Sequence, residues 1–370
     1  MKRLCLVLCI LAVLTTSLAA QELAEPPATA PYACDGTPPP RAAVAFDGAL
    51  PTSPATSADI LNLLHVPQLM GPSYFAQIAE GIDKAGRLLG QVVLITDAPS
   101  RVNADQQAQV ITSYVRSGPV DGLIIAPVSE ELAEALTALI ESGVWVVAYD
   151  RDPGPEARAW FVESVEPNAL AYVLGESLAR QLGGAGRFAV LTTGHAQWEA
   201  ELQAYLEQCH PDLTWLETVE VADEYDAAVA AAGELIATHG DNLDAILALD
   251  SLLLAGAGQA VSDTERCLLT AQTAAARSAD AVVVVTGVGR PNDARALVES
   301  GCVSELVTWD PQAIGAVALE ALVASISGTL QPGAARFETQ RLGTLDVVGS
   351  VIKIGLPLII TAETITDFDF

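Results

Sequence analysis

The sequence is poor in basic residues. Among its 370 residues, 18 Lys and Arg stand against 46 Asp and Glu, which gives a formal net charge of −28 at pH 7. Beyond residue 20, the only lysines are Lys84 and Lys353. A surface that binds phosphate groups needs clustered Lys and Arg. The charge balance therefore excludes nucleic acid as a partner and disfavours binding to anionic membranes.

Long hydrophobic runs are absent beyond residue 20. Residues 1–20 combine Lys2 and Arg3, an apolar run at residues 4–14 and small residues up to Ala20, which is the pattern of a secretory signal peptide. The run is shorter than the ~20 residues that span a bilayer, so we expect cleavage near Ala20 rather than a membrane anchor. The sequence predicts an exported protein, either periplasmic or secreted.

Cysteine is scarce, and the sequence does not determine its pairing. Two of the six cysteines fall within the leader, and the other four are Cys34, Cys209, Cys267 and Cys302. Disulfides form in exported proteins, and four cysteines allow 3 complete pairings; buried free thiols are an equal alternative. The cysteine spacing is wrong for a zinc site, and the four histidines show no paired metal spacing. We therefore expect no metal.

Residues 21–57 differ from the rest of the chain in composition. They are rich in Pro, Ala, Thr and Ser and have no sustained apolar periodicity. Because this composition is typical of an extended linker, we predict a Pro-rich tether.

From residue 58 onward, short apolar runs alternate with segments of helical periodicity. The first run, at residues 60–64, leads into a helix in which Phe75 and Ile78 share one face and Gly90 marks the end. The same cycle repeats along most of the chain. Almost continuously apolar strands are expected where helices cover both faces of a parallel sheet. The pattern predicts an α/β protein with two doubly wound parallel-sheet lobes.

Polar and aromatic side chains mark the predicted strand ends. Ligands of doubly wound sheets bind beyond these carboxyl ends. Aromatic rings beside carboxylates and an arginine can grip a small polyhydroxylated molecule through ring contacts and charged hydrogen bonds. An aspartate at such a position also commonly caps the next helix. The candidates here are Gln68, Tyr149, Asp150, Arg151, His195, Asp250 and Trp309.

Four segments carry a family likeness: residues 149–152 (Tyr-Asp-Arg-Asp), 286–292, 301–311 and 363–370. They resemble the type I periplasmic substrate-binding proteins of ABC transporters, in the sugar-binding group and closest to the branch that binds autoinducer-2 or rhamnose. This resemblance runs from residue 60 to the end of the chain. It implies two lobes joined by crossover segments, with the ligand clamped between them by hinge closure.

The resemblance also implies where the chain passes between the lobes. The expected crossings lie near Asp152, Gly289 and Trp309. We therefore expect a first lobe of residues 58–152 and 290–308 and a second lobe of residues 153–289 and 309–370.

Individual ligand-binding residues follow from the same resemblance. Tyr74 and Phe75 match an aromatic pair that opens the first helix of sugar binders. Asp150 and Arg151 match an Asp-Arg pair that hydrogen-bonds sugar hydroxyls. Trp309 falls at a hinge position that faces the ligand.

The sequence also departs from the relatives it resembles. Autoinducer-2 binders have a lysine where this chain has Gln68, and an Asp-Gln pair where it has Gly194 and His195. The ribose-binding type has a ligand amide at the position of Asp250 and an aspartate at the position of Gly289. Because these differences exchange hydrogen-bond donors and acceptors, they favour a ligand that differs chemically from autoinducer-2 and from ribose.

Other classes of protein fit the sequence less well. Residues 256–258 and 287–289 are fragments of glycine-rich loops, but neither completes a dinucleotide fingerprint or a phosphate loop. No serine lies in a nucleophile elbow. We therefore expect neither an enzyme nor a bound cofactor. A sugar-responsive repressor would need a basic helix-turn-helix where this chain has its leader and tether.

The sequence thus predicts an exported, monomeric solute-binding protein that captures a small sugar or sugar-like ligand for an ABC importer, whose permease is the expected protein partner. The alternative is an autoinducer-2 receptor for uptake of a quorum-sensing signal.

Overall fold

The computed structural model describes residues 30–41, 43–52, 60–71, 73–268 and 282–370. The predicted signal peptide at residues 1–20 lies outside the described residues. Within them, the chain forms two lobes, each built on a mainly parallel sheet. The predicted α/β class with two such lobes is confirmed.

Most of the first lobe comes from the first half of the chain, where strands and helices alternate. Its elements there are β1 (Leu61–Val66), α1 (Ser73–Leu89), β2 (Val92–Thr96), α2 (Ala104–Ser117), β3 (Gly122–Ile125), α3 (Ala133–Glu141), β4 (Trp145–Tyr149) and β5 (Trp160–Glu163). A later return of the chain adds α9 (Pro311–Ile326), β11 (Arg336–Thr339), β12 (Gly343–Val348) and β13 (Val351–Lys353).

The second lobe repeats the alternation. Its elements are α4 (Pro167–Leu182), β6 (Gly186–Thr192), α5 (Ala196–Cys209), β7 (Leu213–Glu220), α6 (Tyr225–His239), β8 (Ala245–Ala248), α7 (Ser251–Asp263), β9 (Val284–Val288), α8 (Pro291–Glu299), β10 (Glu305–Thr308) and β14 (Leu358–Ile360).

Strand order makes the parallel strands one continuous block in each sheet. The first sheet has the order β11-β12-β13-β5-β4-β3-β1-β2, and the second has the order β14-β10-β9-β8-β6-β7. Antiparallel pairing is confined to β11–β13 and to β14. The carboxyl ends of the parallel strands in each sheet therefore share one edge.

Both faces of each sheet are buried at its central strands. In β1, Leu63 packs towards α1 and α9, whereas the next residue, Leu64, packs towards α2 and α3. In the second sheet, Val190 faces α4 and α5, and Leu191 faces α6 and α7. This two-sided burial explains why the central strands are apolar at nearly every position.

Strand pairing corrects the predicted lobe boundaries. Strands β9 and β10 pair with each other, and β9 also pairs with β8, so residues 290–308 belong to the second lobe and the predicted crossing near Gly289 is wrong. Strands β5 and β13 pair in the first sheet, so residues 153–163 and 311–353 belong to the first lobe. The chain crosses between the lobes at residues 164–166, 309–310 and 354–357.

The strands that sequence periodicity missed lie late in the chain or directly after β4. β5 is short, and β11 and β12 alternate between exposed and buried positions with polar residues outward. None of these three strands has a long apolar run. Their place in the sheet depends on hydrogen bonds to strands that are distant in sequence.

The described part of the predicted tether, residues 30–41 and 43–52, contains no helix or strand. It is nevertheless held against both lobes. Cys34 forms a disulfide with Cys209 at the end of α5, and Cys267 forms one with Cys302. These two bridges settle the pairing that the sequence left open.

No helix within the described ranges is both long and apolar enough to cross a bilayer.

Helices α1 and α9 approach to backbone contact. A Cβ atom built at Gly81 would lie 2.1 Å from the carbonyl oxygen of Gln312, and one at Gly315 would lie 2.1 Å from the carbonyl oxygen of Ile78. Only glycine permits this distance. The pair of glycines fixes α9 on the first lobe.

We expect Gly315→Ala to lower the free energy of unfolding by about 1–3 kcal/mol, because the added methyl group forces the two helices apart. Gly233 in α6 is the matched control, since a Cβ there meets no atom within 4 Å. Gly233→Ala should raise the free energy of unfolding by up to about 1 kcal/mol, because alanine has a higher helix propensity than glycine. Urea unfolding followed by circular dichroism measures both, and equal effects of the two substitutions would contradict the close approach.

Candidate functional site

A cleft lies between the lobes at the carboxyl ends of the parallel strands, and its cavity volume is about 280 Å³. Asp150 follows β4 of the first lobe, whereas Asp250 follows β8 and Arg290 follows β9 of the second lobe. The residues that line the cavity are Tyr74, Asp150, His195, Trp198, Asp223, Leu249, Asp250, Ser251, Val288, Gly289, Arg290, Thr308 and Trp309.

Asp150 is the centre of the first-lobe wall. Its φ of 66° lies in the left-handed region, and the amide of Arg151 donates to the carbonyl of Tyr149 at 2.8 Å across it. This tight turn is sterically unfavourable for a residue with a side chain. It turns the chain directly after a buried strand and leaves the Asp150 carboxylate open to the cleft.

A hydrogen-bonded chain of side chains holds the Asp150 carboxylate. Gln68 Nε2 donates to Asp150 Oδ2 at 3.0 Å, and the Tyr74 hydroxyl donates to Oδ1 at 3.4 Å. Trp309 Nε1 in turn donates to the Tyr74 hydroxyl at 3.1 Å. Partial loss of hydrating water at the cleft wall raises the pKa of Asp150, while the Tyr74 hydrogen bond and the charge of Arg151 oppose this rise.

Asp250 is the centre of the second-lobe wall. It precedes α7, and its carboxylate accepts from the Thr193 hydroxyl at 2.8 Å and from the Thr193 amide at 3.2 Å. His195 Nε2 lies 3.0 Å from Asp250 Oδ1. The His195 ring stacks on Trp198 with centroids 4.3 Å apart, and Trp198 meets Trp309 edge to face at 6.5 Å.

The hydrogen bond to Asp250 raises the pKa of His195, although partial burial acts in the opposite direction. The negative charges of Asp250, Glu199 and Asp223 add to the rise. His195 is therefore more readily protonated than a free histidine, and it then forms an ion pair with Asp250.

Arg290 completes the second-lobe wall. Its Nε donates to Asp293 at 2.7 Å, and its amide donates to the Ser251 hydroxyl at 2.8 Å. Ser251 donates to Asp293 at 2.7 Å, which closes the cluster. Asp223 differs, since no side chain in the described ranges donates a hydrogen bond to it. Burial, together with the charge of Asp250, raises the pKa of Asp223.

The structure brings six of the predicted residues together at the cleft. Five of these line the cavity, and Gln68 supports Asp150 from behind. The six are Gln68, Tyr74, Asp150, His195, Asp250 and Trp309.

The other three predicted residues do not line the cavity. Phe75 packs edge to face on Tyr74 at the border of the first-lobe core. Tyr149 is fully buried, and its hydroxyl lies 2.8 Å from His65 Nε2. Arg151 is exposed to solvent beside the cleft. Tyr149 is the last residue of β4, whereas Asp150 and Arg151 lie in the tight turn that follows it, so the three side chains point in different directions.

His65 explains how the Tyr149 hydroxyl is satisfied in the core. Burial lowers the pKa of His65 to about 3, so the ring is neutral. The other ring nitrogen lies 3.2 Å from the Thr96 hydroxyl. This interior pair belongs to the packing of the first lobe and not to the cleft.

Eight of the 13 lining residues were missed by sequence reasoning, among them Trp198, Asp223, Ser251 and Arg290. Trp198 follows His195 by three positions, a spacing that places two residues on one helix face. Asp223 follows β7 and shares the strand-end position used to select the other aspartates. Within the described ranges, no group of three or more His, Cys, Asp or Glu side chains is arranged to hold a metal ion.

Two α/β lobes, three crossings and a cleft between the lobes define the type I periplasmic binding protein fold. Residues 64–330 match the family described as the periplasmic binding protein domain. Because the match spans more than half of the chain, the protein belongs to this family.

Solved structures share the fold over most of their length. A sugar ABC transporter protein from Actinomyces odontolyticus has 23% identity and a TM-score of 0.74, covering 86% of this chain and 100% of its own. LsrB from Clostridium saccharobutylicum, in complex with AI-2, has 21% identity and a TM-score of 0.64, covering 84% and 100%. A solute-binding protein from Clostridium phytofermentas with bound L-rhamnose has 19% identity and a TM-score of 0.64, covering 84% and 99%.

The His195–Asp250 pair predicts a pH-dependent stability. Because the pKa of His195 is raised in the folded state, the pair contributes its full stabilisation below the pKa of an unfolded histidine, about 6.5. The contribution is lost as the pH rises through the folded value. The difference in unfolding free energy between wild type and His195→Gln should therefore be larger near pH 6 than near pH 9.

Urea unfolding across this range measures that difference. In an Asp250→Asn background the pH dependence of the His195→Gln effect should be much smaller, since the hydrogen-bonded carboxylate is gone and only the charges of Glu199 and Asp223 remain. If the effect of His195→Gln on the unfolding free energy stays constant with pH when Asp250 is present, His195 and Asp250 are not coupled.

Proposed function

We propose that this protein is an extracytoplasmic solute-binding protein that captures a small sugar or sugar-like ligand between its lobes and delivers it to an ABC importer. The observation that carries the proposal is the pairing of two walls across one cleft. Each wall presents a carboxylate beside aromatic rings: Asp150 with Tyr74 and Trp309, and Asp250 with His195 and Trp198.

This chemistry suits a hydroxylated ring. Carboxylates are acceptors only, and sugar hydroxyls are donors that form strong charge-assisted hydrogen bonds with them. Aromatic faces pack on the C–H surface of a sugar ring. The L-rhamnose and AI-2 carried by two of the similar structures are small molecules of comparable polarity.

Ligand capture then follows from the two-lobed fold. A ligand that contacts both walls at once binds the closed state more tightly than the open state, so it shifts the population towards closure. The importer's permease would recognise the closed form. The chain would act as a monomer, since each chain holds both walls of its own cleft.

Charge within the cleft guides the choice of ligands to test. Arg290 is bound to Asp293 and His195 to Asp250, whereas Asp223 accepts from no side chain in the described ranges. A ligand with a protonated amine as well as hydroxyl groups would neutralise Asp223. Amino sugars therefore belong in the panel beside their neutral counterparts.

A thermal-shift panel of monosaccharides, deoxysugars, amino sugars and autoinducer-2 tests the proposal. A ligand that binds only the folded state raises the melting temperature. We expect a concentration-dependent rise with at least one sugar. A rise with autoinducer-2 alone would favour a receptor for that signal, and no rise with any compound would contradict the carbohydrate assignment.

For the sugar with the largest shift, we expect Asp150→Ala to weaken binding by about 1.5–3 kcal/mol, because a buried ligand hydroxyl loses its charged acceptor. Isothermal titration calorimetry measures the change. Asp83→Ala is the matched control, because Asp83 is an exposed aspartate on α1 of the same lobe and does not line the cleft. An unchanged affinity in Asp150→Ala would place the site elsewhere.

A further inference from the structure

The described residues 30–41 and 43–52, here named the strap, precede the residues that match the family. Its first part is fixed to the second lobe. The ring of Tyr32 stacks on Tyr172 of α4 with centroids 5.1 Å apart. Asn168 Nδ2 donates to the carbonyl of Ala30 at 3.1 Å, and the disulfide to Cys209 follows at Cys34.

The last part of the strap is fixed to the first lobe. Phe46 packs edge to face on Trp160 of β5 at 5.0 Å, and the amide of Ala49 donates to the carbonyl of Arg158 at 2.8 Å. A Cβ atom at Gly48 would lie 2.3 Å from the carbonyl oxygen of Ala159. Only glycine lets the strap approach the first lobe this closely.

Between these anchors, Arg41 of the strap reaches the lobe crossings. Its two terminal nitrogens donate to the carboxylate of Glu166 at 2.6 and 2.7 Å, and its Nε donates to Asp346 of β12 at 3.1 Å. Glu166 belongs to the first crossing. Lys353, which directly precedes the third crossing, lies 3.6 Å from Glu166 and also binds Glu163.

The middle of the strap is stiff and stands away from the lobes. Pro38, Pro39 and Pro40 are consecutive, and proline fixes the φ angle of its residue. A cavity of about 300 Å³ lies between this part and residues of both lobes, including Asn168 and Val348. The strap is therefore tied at its two ends and through Arg41 rather than along its whole length.

We propose that the strap is a clasp across the hinge that limits how far the lobes open, with Arg41 and the Cys34–Cys209 disulfide as its positioning elements. A change of lobe angle moves the two anchored ends relative to each other, and three successive prolines leave little freedom to follow. Opening must then stretch or break a contact of the clasp. This inference depends on the fold and not on the identity of the ligand.

The test compares the full exported chain with two clasp variants. One is Cys34→Ser with Cys209→Ser, and the other is Arg41→Met. The matched control is Cys267→Ser with Cys302→Ser, which removes a disulfide that joins two segments of the second lobe only. The single Arg41 variant keeps the test decisive if the cysteine variant fails to fold.

Two measurements without ligand report lobe opening. Small-angle X-ray scattering should show a larger radius of gyration for both clasp variants. Hydrogen exchange of amides in residues 164–166 and 354–356 should be about tenfold faster, which corresponds to about 1.4 kcal/mol. Exchange in the central strands β3 and β8 should not change. The control should match wild type in both measurements, even if its melting temperature falls.

Either of two results would overturn the clasp. The first is a wild-type radius and wild-type exchange at the crossings in both clasp variants. The second is an equal change in the control, which would reduce the effect to general loss of stability.

An affinity measurement extends the test and rests on the proposed function. For the sugar selected by the thermal-shift panel, both clasp variants should show a raised Kd, because a wider range of open states lowers the population competent to close. An unchanged Kd would refute the link between clasp and affinity. If no sugar binds, the scattering and exchange results still test whether the strap is a clasp. The clasp and the proposed sugar-binding function can therefore be refuted independently.

Discussion

The close contact between α1 and α9 is the constraint on which the site depends. Gly81 and Gly315 let the two helices meet at backbone distance, which brings the late part of the chain back to the first lobe. This return makes residues 309–310 a crossing between lobes. Asp310 caps α9 by accepting from the amides of Gln312 and Ala313. Trp309 is thereby held against Tyr74, and Tyr74 against Asp150.

The scarcity of basic residues shapes both the lobes and the cleft. Lys353 binds Glu163, Lys84 lies 2.9 Å from Glu80, and the almost fully buried Arg158 forms two hydrogen bonds with Asp152. Breaking a buried pair of this kind leaves an uncompensated charge, which is strongly destabilising. Because these basic groups are committed to partners, the cleft keeps a marked excess of carboxylates.

The four-residue motif at residues 149–152 shows what the family resemblance predicts correctly and what it does not. Tyr149 lies in the core, Asp150 faces the cleft, Arg151 is exposed and Asp152 binds Arg158. The motif located the right turn of the chain. The motif did not show that only Asp150 faces the cleft, whereas Tyr149 and Asp152 are structural and Arg151 is exposed. The direction of each side chain depends on the φ of Asp150 and on the surroundings of the turn.

The sequence by itself determined most of the parallel strands, the helices between them and the position of the cleft at the strand ends. These features follow from hydrophobic periodicity and turn residues, which act over a few neighbouring positions. Tertiary structure alone decided the membership of β5, β10 and β13 in their sheets, the disulfide partners and the inclusion of Trp198, Asp223 and Arg290 in the cleft. These features depend on contacts between segments that are far apart in the chain. Local sequence patterns do not indicate which distant segment supplies the contact.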